Sequence, residues 1–86
     1  MSAPFGGHPT LGEYLDWAYR FAECTVQTGF INGRPCKKIV APSGRWVTIV
    51  DKHERERLAP TTVDYFDRRL GIKSPFASLP SAPYQN

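Results

Sequence analysis

The dipeptide Asn32-Gly33 is the feature that most restricts how this chain can fold. Both residues tolerate positive φ, and Asn-Gly between apolar runs is a strong signal for a two-residue β-hairpin turn. The flanking runs, "TVQTGFI" and "RPCKKIVA", are rich in β-branched and aromatic residues. A second turn signal, "PSG", precedes a third such run, "RWVTIVD". The pattern predicts three antiparallel strands near residues 25–31, 34–41 and 45–51.

The third predicted strand alternates in a way that separates its two faces. Side chains of a strand point to opposite faces of the sheet in turn. We therefore expect Val47 and Ile49 to face the core, and Trp46, Thr48 and Val50 to face the other side. This arrangement predicts an exposed tryptophan on the sheet.

A first helix is predicted before the strands. Thr10 and Glu13 have the spacing of a capping box, in which each side chain satisfies a free backbone N–H at the helix start. Apolar residues then recur at three- and four-residue steps and form one apolar face: Leu11, Tyr14, Leu15, Ala18, Phe21 and Ala22. The helix is predicted from Leu11 to Cys24.

A second, shorter helix is predicted after the strands. Thr61 with Asp64 three residues later has cap-like spacing, and Gly71 is suited to the left-handed position that ends a helix. The predicted buried stripe of this helix consists of Val63, Phe66 and Leu70. The element order is therefore αβββα.

Length and composition favour one small folded domain. The chain has 86 residues, of which 41% are hydrophobic and 13% aromatic. We predict an α+β fold in which a three-stranded antiparallel sheet carries two helices on one face. Residues 10–73 form this αβββα domain, after a flexible N-terminal arm over residues 1–9. A Pro- and Ser-rich extended tail is predicted over residues 74–86.

Charge and cysteine content restrict the environment and the partners. The formal net charge is +3, and residues 33–57 hold seven Lys or Arg against three Asp or Glu. Such a basic segment permits nucleic-acid binding without requiring it. Because no apolar run is long enough to span a bilayer and no signal peptide is evident, we expect a cytoplasmic protein without membrane contact. Cys24 and Cys36 are then expected to be reduced thiols, and neither a metal nor a cofactor is predicted.

Three stretches carry a resemblance to a known family: "GRWVTIVDKH", "LAPTTVDYF" and "LGI". They resemble the HicA-type mRNA-interferase toxins, in which a Val-Thr-Val-Pro-like strand is followed closely by a histidine. A loop with Leu and Pro then leads into a final helix that ends at Gly. The resemblance covers roughly residues 33–72. It implies a double-stranded-RNA-binding-domain-like fold, ribonuclease chemistry and a toxin–antitoxin context.

The chain departs from that family at the expected catalytic position. The family's catalytic histidine lies in a Gly-Ser-His-like stretch upstream of the quoted pattern. The nearest equivalent here runs from Gly33 to Cys36, and Pro35 has no side chain that can move a proton. The departure implies that the ribonuclease chemistry is absent or altered.

His53 is the candidate general acid or base, because imidazole titrates near neutral pH. An exposed connection between a strand and a helix is the simpler interpretation of the same residue. A second set of residues combines cations with an exposed tryptophan, which is able to stack on a base or to anchor a protein partner. We predict that RNA or a partner is bound by Lys37, Lys38, Arg45, Trp46, Lys52 and Arg55.

Three functions follow from these candidates. The first is a small non-enzymatic domain that binds RNA through the basic strands and the exposed tryptophan. The alternative is a protein-interaction module, such as a phage- or plasmid-type inhibitor, that uses the open sheet face and the tail to bind an antitoxin or a host protein. A further alternative is a HicA-like, metal-independent ribonuclease toxin that relies on His53.

Overall fold

The computed structural model describes residues 8–76 and confirms the predicted order αβββα. Helix α1 spans Leu11–Phe21 and helix α2 spans Pro60–Leu70. Strands β1 (Thr25–Ile31), β2 (Arg34–Val40) and β3 (Trp46–Val50) lie between them. The strands form one antiparallel sheet in the order β1-β2-β3. No helix within these residues is long and apolar enough to cross a membrane.

The sheet has one buried and one open face, as the alternation predicts. Ile39, at the centre of the sheet, stands in register between Val26 on β1 and Val47 on β3. Ile39 and Val47 are buried with Ile49 in a single core. The core also contains four residues of α1 and three of α2: Leu11, Tyr14, Leu15, Ala18, Val63, Phe66 and Leu70. The prediction that Phe21 belongs to the apolar face of α1 is wrong, because this side chain is 72% exposed. Trp46 and Val50 lie on the opposite face and are exposed.

Helix α1 begins as predicted but ends earlier. The Thr10 hydroxyl accepts a hydrogen bond from the Glu13 backbone N–H, and the Glu13 carboxylate accepts one from the Thr10 N–H. The prediction that the helix continues to Cys24 is wrong, because the chain turns at Glu23 with a φ of 58°. This left-handed turn places the buried Cys24 at the entry to β1.

The predicted cap at Thr61 is wrong. Helix α2 starts two residues earlier than a cap at Thr61 implies, at Pro60, with Ala59 as its N-cap and without a side-chain capping bond. Proline suits the first helical position because its φ is already helical and no N–H is needed there. Asp64, the predicted capping partner, instead forms an ion pair with Arg68 at 3.0 Å. The predicted end at Gly71 is confirmed, with a φ of 71°.

Residues on both sides of the predicted domain pack against it. Pro9 is buried, and its carbonyl accepts a hydrogen bond of 2.8 Å from the Leu58 N–H. Ser74 is buried, and the Phe76 ring contacts the rings of Tyr14 and Trp17. The packed domain therefore includes parts of the segments predicted as an arm and a tail. The rest of those segments, residues 1–7 and 77–86, lies outside the described residues.

Candidate nucleic-acid interface

Two basic side chains lie close to the indole ring of Trp46. Trp46 is the first residue of β3, lies on the open face of the sheet and keeps 45% of its surface exposed. The Lys38 ammonium lies 4.7 Å from the centroid of the Trp46 ring, and the Arg69 guanidinium carbon lies 5.7 Å from it. Both distances are within the range of cation–π attraction. The indole therefore lies in a positively charged environment.

An open cleft adjoins this tryptophan. It has a volume of about 580 Å³ and lies between the turn that precedes β3 and the last turns of α2. We call it the arginine–aromatic cleft. Its lining residues are Ser43, Gly44, Arg45, Trp46, Tyr65, Arg68 and Arg69. The cleft therefore combines two exposed aromatic rings with three arginines.

Helix α2 supplies one wall of the cleft. Tyr65, Arg68 and Arg69 are spaced three and four residues apart, so they share one face of the helix. That face differs from the buried stripe, and the Tyr65 ring remains 53% exposed. None of these three residues is among the predicted binding residues. Their helical spacing beside an exposed tyrosine is the signal that could have identified them.

Arg45 joins the two walls of the cleft. Its Nε donates a hydrogen bond of 3.2 Å to the Arg69 carbonyl, and its Nη2 donates one of 3.1 Å to the Arg68 carbonyl. These carbonyls belong to the last turn of α2, where backbone acceptors lack helical partners. Arg45 is therefore a cap of α2 and a fixed wall of the cleft, rather than a freely moving cation.

The predicted binding residues do not form one surface. Lys38, Arg45 and Trp46 lie in or beside the cleft. Lys37 is adjacent to Lys38 on β2 and therefore points to the helix side of the sheet, where it stands in register with Ile49. Its ammonium lies 3.7 Å from the Glu54 carboxylate.

Lys52, His53 and Arg55 lie in another part of the molecule, the loop of residues 51–58. Carbonyl groups of this loop accept hydrogen bonds from the first free N–H groups of α1: Leu11 bonds to Glu56, and Gly12 bonds to Glu54. The side-chain hydrogen bond from Lys52 to Glu56, at 3.2 Å, lowers the pKa of the Glu56 carboxyl. The charged loop thus completes the capping of α1, whose N-cap is Thr10.

The environment of His53 is part of the same loop. The imidazole Nδ1 of His53 accepts a hydrogen bond of 3.2 Å from the Arg55 backbone N–H. The backbone N–H of His53 donates to the Glu56 carboxylate at 3.4 Å. The side chain is exposed. Across residues 8–76, no group of three or more His, Cys, Asp or Glu side chains is arranged to hold a metal ion. The local bonds of His53 thus hold the turn together.

Comparison of the chain with protein-family models, with curated proteins and with solved structures gave no match. The candidate function therefore depends on the geometry of the cleft and on the sequence.

Proposed function

We propose that this chain binds single-stranded RNA in the arginine–aromatic cleft. The observation that carries the proposal is the half-exposed indole of Trp46, with the cations of Lys38 and Arg69 within 6 Å of its ring. Single-stranded nucleic acids are bound by surfaces of this kind, in which bases stack on aromatic rings and cations follow the phosphates. Tyr65 offers a second ring in the same cleft.

The cations of the cleft differ in their availability. Arg69 has no ion pair within residues 8–76, so its charge is not neutralised by a neighbouring carboxylate there. Arg68 is paired with Asp64, but its side chain is largely exposed, and such pairs contribute little to stability. A phosphate can therefore compete for Arg68 at small cost. We assign the principal phosphate contact to Arg69 and a second contact to Arg68.

The turn before β3 supplies polar groups for a ribose. Ser43 and Gly44 line the cleft beside the aromatic rings and are exposed. A 2′-hydroxyl both donates and accepts hydrogen bonds, and it is the group by which a protein distinguishes RNA from DNA. The Ser43 hydroxyl and the backbone of this turn are the partners that we propose for it.

Fluorescence anisotropy with a labelled single-stranded uridine oligomer tests the proposal. Trp46→Ala should weaken binding about fivefold or more, because one stacking contact contributes about 1–3 kcal/mol. Arg69→Gln should weaken binding and lower the slope of log affinity against log salt by about 0.7, the value for one phosphate contact to a single strand. Arg20→Gln is the matched control, because it removes the same charge from an exposed site on α1.

The proposal fails if Trp46→Ala and Arg69→Gln bind the oligomer as tightly as the original chain does. Equal losses in the Arg20→Gln control would show that only net charge matters. The affinity for the corresponding deoxyribose oligomer measures how much the 2′-hydroxyl contributes to binding. Equal affinity for DNA would contradict the RNA preference while leaving single-strand binding in place.

A second candidate, a protein-interaction module, is favoured by the open face of the sheet. Ile31 and Val50 are exposed there with Trp46, and Cys36 and Val40 are only half-buried. Apolar groups on an open face are typical of protein-binding surfaces. Val50→Lys should abolish copurification of a protein partner and leave RNA affinity intact, because Val50 does not line the cleft. A partner that still copurifies with Val50→Lys would contradict this use of the face.

A further inference from the structure

Strand β1 is an edge strand without the usual protection. It forms one side of the sheet, in the order β1-β2-β3, and within residues 8–76 no strand pairs with its outer side. Natural edge strands are commonly blocked by charged residues, proline or bulges. The seven residues of β1, "TVQTGFI", include neither a charge nor a proline. The edge is therefore open to pairing with another strand.

One hydrogen bond establishes which backbone groups of β1 are free. The Asp51 N–H donates to the Pro35 carbonyl at 2.8 Å, so Pro35 directs its carbonyl away from β1. Phe30 is the partner of Pro35 in the antiparallel register. Because such pairs alternate along a ladder, Phe30 also directs its N–H and C=O away from β2. Thr28 and Val26, at steps of two residues, do the same.

These free groups match those of a second copy turned by 180°. A two-fold axis at Thr28 pairs Thr28 with its own counterpart and pairs Val26 with Phe30 of the second copy. Every position in this register offers both a donor and an acceptor, so no backbone group meets a group of its own kind. No like charges meet either, because β1 has no charged residue.

The side chains support the same register. Phe30 is 76% exposed, the highest value among the large apolar side chains of the described residues, whereas Val26 is partly buried against the core. Both lie on the helix side of the sheet. Pairing about Thr28 places each Phe30 directly across from a Val26, a favourable combination of an aromatic and a β-branched residue. The Phe30 ring, the most exposed aromatic ring among residues 8–76, is thereby covered in part.

We infer that the chain forms a two-fold symmetric dimer in which the two β1 strands pair about Thr28. The two sheets then continue as one. Strand β3 and the arginine–aromatic cleft lie at the opposite edge of each sheet, so the dimer leaves both clefts open. A self-complementary interface of this kind closes on itself and does not propagate into fibres. The inference is independent of what the cleft binds.

Sedimentation equilibrium of the full chain, at concentrations up to about 1 mM, tests the inference. The original chain should show a dimer. Phe30→Lys should weaken the dimer at least tenfold, because it places a charge on the edge and removes the apolar pair. Thr28→Pro should do the same by removing an N–H at the axis, a substitution that edge strands accept when the N–H points outward. Thr61→Lys, which adds a charge on the exposed start of α2, should leave the dimer unchanged.

Amide hydrogen exchange supplies a second measurement. In the dimer, the amides of Val26, Thr28 and Phe30 should become protected as the concentration rises, and in Phe30→Lys they should stay fast. Circular dichroism of both variants confirms that the fold remains; should Thr28→Pro unfold, Phe30→Lys alone decides. A full chain that stays monomeric at about 1 mM would overturn the inference, as would a dimer that Phe30→Lys leaves intact.

Discussion

The Tyr14 hydroxyl donates a hydrogen bond of 2.7 Å to the Asp67 carboxylate, and both side chains are buried. The second oxygen of Asp67 accepts hydrogen bonds from the backbone N–H of Ser74 at 2.9 Å and from its hydroxyl at 2.8 Å. A buried carboxylate is tolerated when its oxygens are hydrogen-bonded. The hydrogen-bonded cluster of Tyr14, Asp67 and Ser74 therefore joins α1, α2 and the segment that follows α2.

Tyr14→Phe tests the contribution of this cluster to stability. The substitution leaves one Asp67 oxygen without its buried donor, which should lower the free energy of unfolding by about 1–3 kcal/mol. Urea denaturation measures the change. Tyr19→Phe is the matched control, because Tyr19 is exposed on the same helix, and its effect should stay within about 0.5 kcal/mol. Equal effects of the two substitutions would contradict the role of the cluster.

The same hydroxyl predicts a dependence of stability on alkaline pH. Burial, followed by the hydrogen bond to Asp67, raises the pKa of Tyr14 well above its ordinary value of 10. The folded chain thus favours the neutral phenol, whereas the unfolded chain ionises it near pH 10. The resulting stability is complete below about pH 10 and is lost as the pH rises further. The free energy of unfolding, measured from about pH 8 to about pH 11, should fall in the original chain and should fall less in Tyr14→Phe.

Arg45→Lys tests whether Arg45 caps α2. A lysine lacks the planar fork that reaches the carbonyls of Arg68 and Arg69 together, so about 1–2 kcal/mol of stability should be lost. Arg34→Lys is the control, because Arg34 is exposed and has a single long ion pair of 3.8 Å with Asp51. Thermal unfolding monitored by circular dichroism measures both. A loss as large in the control would show that the capping bonds are not the cause.

Gly12→Ala and Gly29→Ala should differ in their effect on stability, although the substitution is the same. A Cβ at Gly12 meets the Glu54 carbonyl oxygen at 3.2 Å, and the loop of residues 51–58 must shift to accept it. This shift should offset the gain of up to about 1 kcal/mol that alanine gives in a helix. A Cβ at Gly29 meets nothing within 4 Å, so alanine should stabilise β1 by roughly 0.5 kcal/mol. Urea denaturation that finds Gly12→Ala the more stable variant would contradict the close docking of the loop.

His53→Ala separates the binding proposal from the ribonuclease alternative. His53 does not line the cleft, so RNA affinity should stay within about twofold of the original. Labelled RNA incubated with either protein should remain intact, and gel electrophoresis measures this. Cleavage by the original chain that His53→Ala abolishes would contradict a non-enzymatic domain. It would instead support the chemistry implied by the resemblance to HicA-type toxins.

Local patterns in the sequence were sufficient to predict the fold. The Asn32-Gly33 turn and the Thr10–Glu13 capping box depend only on neighbouring residues, and both form as expected. The site was harder to predict because its residues meet through tertiary contacts. Arg45 is held by carbonyls more than twenty positions away, which no local spacing indicates. The separation of Lys37 from Lys38, by contrast, follows from strand alternation and could have been predicted.

The proposed binding of RNA at Trp46 can be measured directly, because the chain has two tryptophans. Trp46 lines the cleft, whereas Trp17 packs against Tyr14 and Phe76. In a nitrogen-15 spectrum, a single-stranded uridine oligomer should shift the indole N–H signal of Trp46 and leave that of Trp17 in place. A Trp46 signal that stays unchanged with the oligomer at about 1 mM would contradict RNA binding in the cleft.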